Sequence, residues 1–430
     1  EVKKLMSTKV SDISKDSFKV KYDSENENIF VPLESGDIIY TDIYFDVSSF
    51  DNLTALSTYK AIADIYDENL SNDIDYYTGG FSTEVTTLQK KDEYRPVLLF
   101  RIKCLKENFE KSLDIFKSVI CQNFNDKDRI LRLVSEAKQN IRSGYIEGGN
   151  SKAIGEALGQ VSTAYYWDSR AKGTDYYTYL SNEVDIIAND VSMVKSVFNR
   201  GNAFYAVAGA KEDKEKIISL VEDALSVLNS GGSLNVISSD ILGNSKGIII
   251  DGNVNFNAVA FEMDCSDGIS RVVQQIISRE YLWDKVRLEG GAYGGGCSLG
   301  KHYSYMYSYR DPNFEKTYDV FKNAGKYIAE SKYTQSDIDR FIIGTINDID
   351  KPIKKHLLTR IAMRKKFNSE TKETVLKRRE QILSATPKAI ADFGNNLANV
   401  KINGFCTVGL EKNIKNCQIF KELYRIDWHF

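Results

Sequence analysis

Apolar and polar residues alternate over residues 38–47 and again over 255–263, and each run predicts a strand. A helical spacing follows each one: Leu53, Leu56, Ala63 and Tyr66 after the first, and Ile269, Val272, Val273, Ile276 and Ile277 after the second. Both halves then place a Gly-Gly step before an aromatic strand, at Gly79-Gly80 and at Gly290-Gly291. The ten-residue segments 108–117 and 313–322 match at seven of ten positions with an offset of 205. Each predicts a helix, followed after a polar start by a second one over 126–141 and 336–349. Late in each half an apolar strand ends on glycine and leads into a polar helix, at 203–209 and 404–409.

The order of elements is therefore repeated, and the pattern predicts two copies of one α+β unit. The Gly/Ser/Asn-rich stretch 230–246 has no apolar face of its own and marks the boundary, giving domains 1–235 and 236–430. Alternating strands favour a mainly antiparallel sheet in each copy, with one covered face under the long amphipathic helices.

Composition narrows the function. In 430 residues, 57 Lys+Arg stand against 60 Asp+Glu, a net charge of −3, which offers no general attraction to nucleic acid. No apolar run approaches the roughly 18 residues a membrane span needs, so neither nucleic acid nor membrane is an expected partner. The six cysteines include no C-x-x-C pair and read as free thiols in a reducing compartment, cytoplasm or organelle matrix. The charged N-terminal segment lacks the apolar core of a signal peptide, and a chain opening on Glu1 suggests a fragment or processed product.

The densest chemistry lies in residues 282–297, where five of the seven positions from 290 to 296 are glycine. Glycine in a strand fits a bulge or the close approach of another backbone, such as a docked peptide; a mobile turn is the plain alternative. Gly295, Gly300 and Lys301 imitate a phosphate-binding loop, but His302 replaces the Ser or Thr. The following residues alternate as a strand with Tyr303, Tyr305, Tyr307 and Tyr309 on one face, whereas a phosphate loop must open a helix. His302, His356 and His429 are far apart, no H-x-x-E-H occurs, and no metal site is expected in this chain. The basic runs 360–366 and 377–379 alternate with Glu370, Glu373 and Glu380 and predict solvated helix faces.

The run 281–295 (YLWDKVRLEGGAYGG), followed by Ser308-Tyr-Arg-Asp-Pro-Asn313, resembles the C-terminal half of the presequence-protease branch of the pitrilysin/insulinase zinc metallopeptidases. Thr78-Gly-Gly-Phe-Ser82 resembles the third domain of the same family. The resemblance implies the third and fourth of four homologous domains, and a whole protein whose two halves enclose a chamber. It further implies a zinc metalloendopeptidase that degrades unstructured peptides. Zinc would be the cofactor of the complete enzyme, bound by a separate N-terminal catalytic half carrying H-x-x-E-H, which would be the partner of this chain.

Two family residues, an Arg and a Tyr six positions apart, fall on Arg287 and Tyr293. A phenol can donate to the oxyanion that forms at an attacked peptide carbonyl, and a guanidinium can hold a substrate carbonyl from the side. Gly290, Gly291, Ala292 and Gly294 would then lie beside the bound peptide. With the Gly pairs aligned, Arg287 and Tyr293 correspond to Tyr76 and Ser82, so only the second copy has the donors. The chain alone is expected to be inactive. The alternative reading is a non-catalytic structural or binding subunit homologous to the family.

Overall fold

The computed structural model describes residues 8–34 and 36–426. Two mixed sheets organise it. The first holds β1 (Asp23–Glu25), β2 (Asn28–Leu33), β3 (Ile38–Asp46), β4 (Gly80–Lys90), β5 (Glu93–Leu105), β6 (Ala203–Ala210) and β7 (Ile237–Ser238). Its order is β1-β2-β6-β3-β5-β4, with β7 added to β5. The second holds β8 (Lys246–Ile249), β9 (Phe256–Glu262), β10 (Gly294–Leu299), β11 (Tyr303–Tyr309), β12 (Gly404–Gly409) and β13 (Glu422–Arg425), in the order β10-β11-β9-β12-β8-β13.

The two orders superpose from β2 to β4 and from β8 to β10. In each, the central strand is antiparallel to both neighbours, and one parallel pair follows, β2 with β6 or β8 with β12. The matched ten-residue segments start the helices Phe109–Cys121 and Glu315–Glu330, whose apolar stripes pack on the sheets through Phe109, Leu113 and Phe116, and through Tyr318 and Phe321. The fold is α+β, as the periodicity predicts.

The strands depart from expectation in one respect: both faces of each sheet are covered. Along β3, Ile39, Ile43 and Phe45 enter the core of the first unit, while Tyr40 and Tyr44 enter a second core with Ala362 and Met363 of the helix Leu358–Phe367. The reverse exchange covers the second sheet, where Phe256, Ala258 and Ala260 of β9 pack against Ala153, Ala157 and Leu158 of the helix Gly149–Leu158. Each half lends one helix to the back of the other half's sheet.

That contact is close because its residues are small. A Cβ on Gly404 would stand 2.2 Å from the Ala157 carbonyl oxygen, and one on Gly149 would stand 2.4 Å from Cδ2 of Phe256. Polar ties hold the exchange in register. Gln160 pairs with the Phe405 backbone like an extra strand residue, its Nε2 donating to the carbonyl and its Oε1 accepting from the N–H, both at 2.9 Å.

The basic runs also differ from the sequence reading. Arg360 forms a two-point ion pair with Glu84 of β4, at 2.9 and 2.7 Å, from a helix packed on the first sheet. Arg379 is nearly buried and pairs with both carboxylate oxygens of Asp350 at 2.8 Å. The helix of Arg360 turns Ala362 and Met363 to the first sheet, and that of Arg379 buries Ile382 in the second unit's core, so their charges are partly enclosed and paired rather than wholly solvated. The strand reading of residues 303–309 holds, and the segment after Gly295 is β10 and a turn rather than a helix start. The tyrosine face of β11 is half-buried beside the helix Gly149–Leu158.

Candidate functional site

The site grows from the helix that follows β9. The helix Ile269–Ile276 buries Val272, Val273 and Ile276 and then continues in wide π turns, Ile277–Tyr281 and Trp283–Leu288. The wider turns keep Tyr281, Leu282 and Val286 buried, and bring Trp283 and Leu288 to the surface. Burial pushes the Tyr281 phenol up to about 12, and its hydroxyl donates to the Val320 carbonyl at 2.8 Å, anchoring the segment to the helix Glu315–Glu330. Arg287, one turn beyond Trp283, lies with its guanidinium carbon 4.1 Å from the Trp283 ring centroid.

The helix stops at the glycine pair. Gly291 has φ +77°, and a Cβ on Gly290 would meet the Val286 carbonyl at 2.5 Å, so neither position accepts an ordinary side chain without strain. The N–H groups of Gly291 and Ala292 donate back to the carbonyls of Arg287 and Val286 at 3.0 and 3.1 Å.

The turn after β11 holds the other side of this loop. Asn313 Nδ2 donates to the Gly290 carbonyl, and the Tyr293 N–H is shared between the carbonyls of Tyr309 and Arg310, at 3.1 and 3.3 Å. The turn is itself fixed by Asp311, which is fully buried. Its carboxylate accepts from Thr317 Oγ1 at 2.7 Å, the Asn313 N–H at 2.8 Å and Asn257 Nδ2 at 3.3 Å. Asp311 and Asn255 also exchange backbone hydrogen bonds at 2.8 Å in both directions. Between these anchors Arg310 adopts φ +49°. A left-handed non-glycine residue costs about 1–2 kcal/mol and persists only where its surroundings over-determine it.

The result is a row of cations and aromatic rings. Beyond Trp283, the Arg287 guanidinium carbon is 5.8 Å from the Tyr293 ring centroid. Tyr293 meets Tyr309 edge-on at 5.8 Å, and Arg310 lies 5.6 Å from the Tyr309 centroid. Arg287, Leu288, Gly291, Ala292, Tyr293 and Arg310 line an open pocket of about 480 Å³. Tyr293 is 68% exposed, which leaves its phenol free to meet a ligand. The acid nearest to Arg287 in sequence, Glu289, is engaged by Lys285 at 2.6 Å, Asp311 beside Arg310 is turned into its own buried network, and among the described residues neither arginine joins an ion pair.

The positions named from the sequence are thus brought together, in different ways. Gly290, Gly291 and Gly296 have internal reasons to be glycine; a Cβ on Gly296 would stand 2.8 Å from Cε1 of Tyr307. Ala292 turns its methyl into the core. Gly294 is the one with open space where a side chain would be, at the start of β10, an edge strand paired only with β11 among the described residues. In the first copy, Tyr76 is 79% exposed and Ser82 lies on β4. Sequence reasoning missed Trp283 and Arg310 as members of the site. For Trp283 the i, i+4 spacing to Arg287 was the available signal; for Arg310 there was none beyond its place in the turn.

Among the described residues no group of three or more His, Cys, Asp or Glu side chains could hold a metal ion. Nor is any helix of the described residues long and apolar enough to cross a membrane.

The family model described as the PreP C-terminal domain matches residues 253–412, and a second model, for the region associated with peptidases of family M16, subfamily C, matches residues 2–182. Protein HypA of Clostridium perfringens is 27% identical over 372 residues, 82% of this chain and 38% of the relative. Presequence protease 1, chloroplastic/mitochondrial, of Arabidopsis thaliana is 25% identical over 400 residues, 86% of this chain and 37% of the relative. The crystal structure of pitrilysin shares the fold with a TM-score of 0.64 at 12% identity, covering 96% of this chain and 47% of that one. The chain thus spans well under half the length of these curated relatives. Taken together with the two tandem α+β units, these matches identify the chain as a C-terminal half of a pitrilysin-family (peptidase M16) protein.

Proposed function

We propose that this chain is the non-metal half of a zinc metalloendopeptidase that degrades unstructured peptides in a closed chamber. In this reading Tyr293 donates its phenolic proton to the oxyanion that develops at the attacked carbonyl, and Arg287 holds a neighbouring substrate carbonyl. The Gly290–Gly294 loop lies along the peptide, where Gly294 leaves the edge of β10 open to another backbone. Zinc, supplied by an N-terminal half with H-x-x-E-H, would provide the Lewis acid of the complete enzyme. A reducing compartment, cytoplasm or organelle matrix, is the proposed location, and the boundary between the two units is proposed near residue 235.

The observation that carries this reading is the pairing of an exposed phenol with an adjacent guanidinium that has no carboxylate partner among the described residues, on a loop fixed from both sides. Such fixation is what a transition-state donor needs, because a donor that must reorganise at the moment of reaction loses its advantage. The test is peptidase activity of the chain alone and of the chain joined with its N-terminal half. Activity is expected only from the joined protein, and zinc-dependent cleavage by the chain alone would refute the reading.

A further inference from the structure

The same pocket contains a second guanidinium that the proposed reaction leaves unassigned. Arg310 sits at the opposite end of the cation–aromatic row from Trp283, lines the pocket with Arg287 and Tyr293, and joins no ion pair among the described residues. Its backbone is held at φ +49° by contacts on either side: the Tyr293 N–H on its own carbonyl, and the buried Asp311 network next in sequence. A turn that needed only to reverse the chain would place Gly or Asn there at less cost. The long cation is held over an open pocket instead.

Arg287, Arg310 and Tyr293 line one pocket, and among the described residues its lining includes no carboxylate. We infer that Arg310 forms, beside Arg287, a binding site for a carboxylate of the peptide substrate, either its C-terminal carboxylate or an acidic side chain near the cleaved bond. This rests on the function proposed above and adds a substrate preference to it. The guanidinium fork suits a carboxylate, donating two parallel hydrogen bonds to its two oxygens, whereas the peptide carbonyl assigned to Arg287 offers one oxygen.

The test compares three versions of one peptide cleaved by the complete protein: free C-terminus without acidic residues, C-terminal amide, and amide with Glu beside the cleaved bond. Arg310→Asn removes the cation and keeps a residue that tolerates the left-handed backbone; Arg310→Lys keeps the charge. The kcat/KM ratio of a carboxylate peptide to the neutral amide is expected to fall about tenfold in Arg310→Asn, and by less in Arg310→Lys. Loss confined to the free C-terminus assigns the terminal carboxylate, and loss confined to the Glu peptide assigns the side chain. A ratio unchanged in Arg310→Asn overturns the inference, even if turnover of all three peptides falls, because Arg310 would then only support the loop. Tyr293→Phe, measured alongside, separates the two proposals: slowed turnover in Tyr293→Phe together with an unchanged ratio in Arg310→Asn refutes only the carboxylate site, whereas no effect of either variant refutes the catalytic reading as well.

Discussion

The guanidinium carbon of Arg287 stands 4.1 Å from the centre of the Trp283 ring, one helical turn before it. The stack limits where a long, flexible cation can point, and Trp283 is itself 43% exposed, so little core packing depends on it. Trp283 is therefore a positioning residue for Arg287. Trp283→Ala in the complete protein is expected to lower kcat/KM about three- to tenfold, from an interaction of about 0.5–1 kcal/mol and the lost orientation. Trp283→Phe should restore most of it with an unchanged melting temperature. A fall in Tm that tracks the loss of activity would show a structural role instead.

The exchanged helix makes a second prediction. Gly404→Ala forces a methyl against the Ala157 carbonyl and should destabilise the chain by about 1–3 kcal/mol. Gly155→Ala, on the same exchanged helix but with nothing within 4 Å of the new methyl, should be neutral or stabilising by up to about 1 kcal/mol. Thermal melts of the two variants read the contrast, and equal melting temperatures would contradict the close approach.

Stability near pH 4 should report the pair Arg379–Asp350. The hydrogen bonds from Arg379 hold the Asp350 carboxyl below its ordinary value. A carboxylate with a depressed folded pKa stabilises fully above its unfolded value, about 3.9, and loses that contribution as pH falls through the lower folded value. Asp350→Asn should cost about 1–2 kcal/mol at pH 7, allowing for solvent screening of a carboxylate that is one-third exposed. The stability difference from the parent should shrink below about pH 4; a difference constant down to pH 3 would contradict the linkage.

Thiol chemistry should divide the cysteines by environment. Cys121 is exposed, whereas burial pushes the Cys265 thiol up to about 11 and raises Cys297 and Cys406 further from their ordinary range. Brief iodoacetamide treatment followed by mass spectrometry should label Cys121 and spare these three until the chain is unfolded.

Much of this was legible in the sequence because it is local. The matched segments at 108–117 and 313–322 carry their helical stripe in three- and four-residue spacings, and each falls on a helix packed over its own sheet. The motif around Arg287 and Tyr293 was recognisable for the same reason. The covered back faces were not legible, because Asp42 and Asp46 look like solvent-facing positions of β3. They are buried, and Arg101 at 2.9 Å and Arg95 at 3.6 Å satisfy them from the neighbouring strand. Burial outweighs Arg101 and raises the Asp42 carboxyl above its ordinary value. The helix Gly149–Leu158 likewise reads as a weak, small-residue segment until Phe256 and Gly404, far along the chain, give its small face a purpose. Arg310 was hidden because its left-handed backbone follows from the bonds that its neighbour Asp311 makes to Asn255 and Asn257, which lie far back in the sequence.

The most direct test of the proposed function is steady-state cleavage of an unstructured peptide by the complete two-half protein carrying Tyr293→Phe. The substitution removes one hydroxyl from a side chain that is 68% exposed, so folding should not change. Loss of an oxyanion donor of this kind costs about 2.7–4 kcal/mol, so kcat should fall by about a hundredfold or more, with KM changed by less than about threefold. A kcat equal to that of the parent would contradict the catalytic role of Tyr293.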